Sequence, residues 1–258
     1  MEILKGLIIG ATMIVPGVSG GSMAMVLGIY DRLISAVSNF RKHPKENGKL
    51  LAKFLLGAGI GAFLFSTPIA WLLENHELPT MYFFIGAVFG GIPLIERKSK
   101  IRKFSLWSAL YMLAGAVSVL LISTLPEGIF QGNASWMKLF IAGIAAAIAL
   151  ILPGISFSHF LLILGLYEGM LNAIKNLDVM FLLPLAAGIL LGTILFSKML
   201  EFVMNKYPEP TYLIILGFIL GSVAQIFPGI PGKMEILVCI GLAAVGFFIV
   251  KNLVVHEG

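Results

Sequence analysis

Charge is scarce in this sequence. Only 12% of its 258 residues are Asp, Glu, Lys or Arg, about half the share usual in a soluble domain, and no hydrophilic stretch is long enough to fold as a separate soluble unit. Cysteine is nearly missing: Cys239 stands alone in an apolar segment, which excludes an intrachain disulfide and assigns it to packing. Histidine is sparse too. His43 and His76 fall in polar connections and His256 in the tail, and "ENHE" (74–77) matches no strong metal-ligand spacing. There is no P-loop, no HExxH and no dinucleotide glycine pattern, so neither a metal nor a cofactor is expected.

What the chain has instead is apolar residues, 59% of the total, with a mean hydropathy of +0.99. Runs such as "LLPLAAGILLGTILF" approach the roughly 20 residues needed to cross a hydrocarbon core. The chain reads as an integral, multi-pass membrane protein. Its net charge of +5 is concentrated in "RKHPKENGK" (41–49) and "ERKSKIRK" (96–103), whereas the intervening "ENHELPT" (74–80) has two glutamates and no basic residue. The positive-inside rule places both basic loops in the cytoplasm, so the charge is a topology signal and no nucleic-acid partner is expected. Lys5 followed by an apolar run resembles a signal peptide, but no clear small-x-small site closes it and the segment belongs to a repeat. It is expected to remain.

The chain is written twice. Residues 6–39 align without a gap on 143–176, with Pro16 on Pro153, Gly17 on Gly154, Ser19 on Ser156, Gly28 on Gly165, Tyr30 on Tyr167, Asp31 on Glu168 and Asn39 on Asn176. Further on, Gly57 and Gly61 fall on Gly188 and Gly192, Thr80 on Thr211, and Gly86 and Gly90 on Gly217 and Gly221. The basic loop at 41–49 absorbs the change of offset. The repeats run 1–128 and 129–258 within one transmembrane domain. Glycines four apart suit close helix packing and carry no chemistry.

The first apolar block of each half is too long for one span. As a single helix, residues 5–37 would extend about 50 Å, but "PGVSGGS" (16–22) interrupts the block, as "PGISFSH" (153–159) interrupts 136–174. Each block is expected to be a re-entrant helical hairpin, with a tilted, kinked crossing as the alternative. A hairpin plus three transmembrane helices gives each half an odd number of spans. The expected fold is therefore an all-α polytopic membrane protein of two inverted repeats, its hairpins meeting at mid-membrane.

Helix N-termini with unpaired N–H groups, glycines and hydroxyls make an anion site. The substrate-binding candidates are Ser19, Gly20, Gly21 and Ser22 in the first tip and Ser156, Ser158 and His159 in the second. Tyr30, Tyr167 and Arg32 follow them, Arg32 as the nearest guanidinium. Asp31, Glu168 and His159 are candidates for coupling or gating, since ionisable groups inside a membrane usually have a function. The alternatives are that the serines only cap helices, that His159 bonds a carbonyl, and that the "YDR" (30–32) and "YEG" (167–169) groups anchor the interface.

"PGVSGGSMAMVLGIYDRLI" and "LPGISFSHFLLILGLYEGMLNAI" resemble the two signature stretches of a bacterial membrane family, formerly a domain of unknown function and now assigned as polyprenyl-phosphate translocases. The likeness covers nearly the whole chain. The second tip departs from the pattern, with "FSH" where a glycine and a small polar residue are expected. The resemblance implies a flippase of the bacterial inner membrane that returns undecaprenyl phosphate from the outer to the inner leaflet, where it is reused as carrier of cell-wall precursors. Its partners would be that lipid and the surrounding membrane lipids, and it would not be an enzyme. Two other classes fit the residues less well. A polyprenyl-pyrophosphate phosphatase could use Ser158 and His159 as nucleophile and acid/base, but neither tip contains an arginine. A transporter of a small soluble anion would need a cavity closed to lipid.

Overall fold

The computed structural model describes all residues except 16, 102–103, 130–134, 234 and 256–258, with the side chains of 254–255 also left aside. Pro16, Arg102, Lys103 and His256 therefore lie outside the described residues. Among those described there are twelve helices and no strand. In the first half they are α1 (Glu2–Thr12), α2 (Gly20–Val26), α3 (Tyr30–Ser38), α4 (Pro44–Asn75), α5 (Glu77–Ser99) and α6 (Leu106–Ser123). The second half has α7 (Trp136–Ile151), α8 (Phe157–Leu164), α9 (Tyr167–Asn176), α10 (Val179–Lys206), α11 (Pro208–Ile226) and α12 (Ile236–Val255). Six of these, α4, α5, α6, α10, α11 and α12, are long and apolar enough to cross a membrane. The protein is an all-helical polytopic membrane protein.

Each long first block is broken twice. Gly17 and Gly154 sit at φ 79° and 87°, and Gly28 and Gly165 at φ 74° and 73°. These left-handed conformations suit glycine and end a helix. The later part of each block is thus jointed, and α8 and α9 bend by 102° at Gly165. Lys5 Nζ donates to the Leu27 carbonyl and Arg32 pairs with Glu2, so the end of α2 lies beside the beginning of α1. In the second half the Gly128 and Ile129 amides donate to the Ile163 carbonyl. The end of α8 accordingly returns to the segment that precedes α7.

Equivalent glycines make equivalent contacts. A Cβ on Gly57 or Gly61 would strike the carbonyl oxygens of Ile3 or Leu7, and one on Gly188 or Gly192 those of Phe140 or Ile144. α4 therefore packs against α1 as α10 packs against α7. Gly86 and Gly90 meet the backbone of Ala243 and Phe247, and Gly217 and Gly221 that of Met112 and Ala116. In this second set the partners are exchanged: α5 holds α12, and α11 holds α6. Small residues let backbones approach until dispersion and weak Cα–H···O contacts hold them, since lipid offers no hydrophobic drive between helices. The Thr80 hydroxyl donates to His76 and Leu72 carbonyls, and the Thr211 hydroxyl likewise to Tyr207 and Val203. Both close the tight turn between two long helices.

The hairpins have unequal surroundings. α2 is apolar and buried on all sides, with Met23, Met25 and Val26 at most 1% exposed, as befits a central helix. It touches α1, α5 and α7, whereas α8 packs mainly within its own hairpin, against α7 and α9. In α9 Ala173 alone is buried.

Candidate functional site: a cavity between the two tips

The two tips face each other. A Cβ on Gly21 would press on the Ile151 and Leu152 carbonyls and on Pro153, so the first tip lies directly against the second. Tyr30 spans the same junction, its hydroxyl donating to the Ile151 carbonyl at 2.8 Å. Around them is a cavity of about 540 Å³. Ser19, Gly20 and Gly21 line it from one half, and Ser156, Phe157 and Ser158 from the other.

The serines do not cap their helices. Ser19 and Ser156 hold the N-cap positions of α2 and α8, yet neither side chain accepts a capping hydrogen bond. Ser105, Ser135 and Asp178 do cap α6, α7 and α10. Ser156 instead lies 3.1 Å from the Ser158 hydroxyl. Backbone N–H groups at the start of α8 therefore keep their donors, beside a pair of hydroxyls.

Two wall residues escaped sequence reasoning. Thr193 and Ser197 project from α10 into the cavity, and both hydroxyls are buried without a hydrogen-bond partner. The available signal was their four-residue spacing in "TILFS", which puts both on one helix face. Leaving such groups unpaired costs free energy that a polar ligand would return.

The remaining candidates are spread out. Ser22 is buried with its hydroxyl unpaired but lies outside the cavity wall. His159 is half-buried behind the second tip, its Nε2 without a partner. Arg32 is exposed and held by Glu2 at 2.9 Å, away from the cavity. That contact lowers the Glu2 carboxyl to about 2, chiefly through the hydrogen bond from Arg32. Asp31 accepts from Lys98 and from the Tyr212 hydroxyl, joining α3 to α5 and α11. Glu168 is exposed, and Tyr167 packs on the Leu161–Leu164 cluster.

Among the described wall residues there is no Lys, Arg or His. The rest of the wall is apolar: Ile9, Leu33, Val37, Leu51 and Phe54 among others. Leu55 belongs both to this wall and to a groove on the outer face of α4 with Leu56, Ile60 and Phe63. Leu55, which is itself exposed, thus stands between the cavity and the apolar exterior.

Comparisons with known proteins identify the family of the chain. The profile of the VCA0040-like family, described as undecaprenyl phosphate translocase-like, matches residues 9–236. The chain belongs to this family. A polyprenyl-phosphate transporter from Vibrio cholerae is 30% identical over 87% of this chain and 76% of its own length. A second, from Staphylococcus aureus, is also 30% identical, over 96% of this chain and 94% of its own. No solved structure matches. These translocase-like relatives are named as transporters and not as enzymes.

Proposed function

We propose that the protein carries a polyprenyl phosphate across a bacterial cytoplasmic membrane, returning undecaprenyl phosphate from the outer to the inner leaflet for reuse as the lipid carrier of envelope precursors. The observation that carries this reading is the shared cavity. One tip from each half reaches it, the Thr193 and Ser197 hydroxyls in its wall lack partners, and Leu55 belongs both to its apolar wall and to a groove on the outer face of α4. A phosphate crosses hydrocarbon with difficulty because an uncompensated charge there is very costly. A prenyl tail has no such barrier. The headgroup would occupy the tips while the tail leaves beside α4.

We further infer that the two halves are inverted repeats with re-entrant hairpins. The returns of α2 toward Lys5 and of α8 toward Gly128 support this. So do the bonds that group the helix ends. Asn39–Glu201 and Asp31–Tyr212 lie at the end carrying the basic loops. Tyr82–Gly229 and Gln225–Ser123 lie at the other. In this arrangement the hairpins enter from opposite faces, and rocking one half against the other would expose the tips to each face in turn.

The deciding experiment reconstitutes the purified protein in liposomes with polyprenyl monophosphate or pyrophosphate, and follows leaflet exchange together with release of inorganic phosphate. Exchange of the monophosphate without phosphate release is the expected result. Phosphate release from the pyrophosphate would overturn the reading and make Ser158 and His159 catalytic suspects. Exchange of a soluble anion in place of the lipid would overturn it differently.

A further inference from the structure

A second cavity, of about 620 Å³, lies at the end of the molecule that carries the basic loops. Its wall is Asn39 and Lys42 from the end of α3 and the loop beyond it, and Lys198, Glu201, Asn205 and Lys206 with Phe202 from α10. Three lysines thus line the same space as one carboxylate. The carboxylate is already engaged: Asn39 Nδ2 donates to both Glu201 oxygens at 2.9 Å. Among the described residues Lys42 and Lys198 have no carboxylate within salt-bridge distance, and Lys206 lies over the Phe202 and Tyr207 rings. Asn47 donates to the Asn39 carbonyl at 3.0 Å and so holds the loop against α3.

One row of side chains on α10 runs from the wall of the first cavity to the wall of this one. Thr193, Ser197, Glu201 and Asn205 recur every four residues and so share one face of α10. The first two line the tip cavity and the last two line the lysine cavity. The row covers about 18 Å at 1.5 Å per residue. No other polar row on α10 connects the two cavities.

We propose that the lysine cavity is a binding site for a phosphate monoester, the station at which the headgroup is received after leaving the tip hydroxyls along this face of α10. The proposal rests on the transport reading given above and adds to it the cations that the tip cavity lacks. A phosphate monoester carries a charge of about −1.5 to −2, and ammonium groups serve it as point charges. Glu201 opposes that charge, and its engagement by Asn39 keeps the carboxylate turned to α3. The same chemistry could come from a lipid headgroup or from free phosphate.

The test uses the full chain in detergent micelles, titrated calorimetrically with farnesyl phosphate, with inorganic phosphate and with farnesol. Removing two exposed charges in Lys42→Gln/Lys198→Gln should weaken phosphate binding roughly tenfold. Glu201→Gln should strengthen it several-fold, a change of sign that a merely structural role would not produce. Farnesol binding should not respond to either. If inorganic phosphate competes with farnesyl phosphate, the site takes the group from either source; if only farnesyl phosphate binds, the source is the lipid. Both support the site. Unchanged farnesyl phosphate affinity in the double lysine variant, or a parallel loss with farnesol, overturns it. Leaflet exchange is scored separately in liposomes, so a wild-type protein that binds phosphate at the lysines but moves no lipid would overturn the transport reading alone.

Discussion

A buried hydroxyl without a partner costs about 1–3 kcal/mol, and α10 carries two of them in the tip cavity, on Thr193 and Ser197. Replacing them with Thr193→Val and Ser197→Ala should leave thermal stability in detergent unchanged or slightly higher, since an unmet polar group is removed. Polyprenyl-phosphate exchange in liposomes should fall at the same time. A matching loss of stability would mean that the hydroxyls support the fold. Arg32 behaves differently. The sequence offered it as the nearest cation to the first tip, but Glu2 takes it because α1 and α3 begin at the same end of the molecule. Because the Glu2 pKa is lowered, the pair contributes above the ordinary glutamate value of 4.5 and its contribution is lost as pH falls toward about 2. Arg32 is exposed and Glu2 partly so, and the effect on stability is small and sensitive to salt. Carboxyl NMR should show Glu2 titrating near its ordinary value in Arg32→Ala.

Helix packing gives a sharper contrast. A Cβ at Gly86 would collide with the Ala243 carbonyl, and one at Gly188 with that of Phe140, whereas Gly59 and Gly241 have nothing near. Gly86→Ala and Gly188→Ala should each destabilise the protein by roughly 1–3 kcal/mol, the usual cost of overpacking. Gly59→Ala should be neutral or mildly stabilising. Thermal unfolding of the three variants in one detergent checks the pattern. At this scale much was legible in the sequence. The long apolar blocks became membrane-length helices, and the Pro-Gly stretches became breaks, because glycine at positive φ cannot continue a helix. The partners of the small-residue helices were not legible. A glycine four residues from another announces a close approach without naming the helix that makes it, so the exchange of α6 and α12 could not be read. Thr193 and Ser197 were hidden for a related reason. Hydroxyls inside an apolar helix commonly bond the backbone one turn earlier, and only the assembled wall shows that these two do not.

Across the whole molecule the two hairpins stand in unlike surroundings, the first clasped between α1, α5 and α7 and the second packed mainly on itself. Alternating transport requires such a difference to be reversible. The Asn39–Glu201 contact joins the first hairpin to α10 in this arrangement. A disulfide formed across it, in Asn39→Cys/Glu201→Cys with Cys239→Ser, should arrest leaflet exchange, and reduction should restore it. Exchange that continues at full rate with the bridge closed would show that α3 and α10 need not separate. The exchanged helices bear on another stage of the protein's life. During synthesis the glycine groove of α5 is inserted long before α12 leaves the ribosome, and α6 emerges long before α11 can receive it. For most of translation, then, the groove of α5 and the matching face of α6 must remain uncovered in the bilayer, at hand for whatever holds unfinished membrane chains. Two fragments divided between α6 and α7 would have to trade helices to mature, so neither should survive in a cell that makes it without the other.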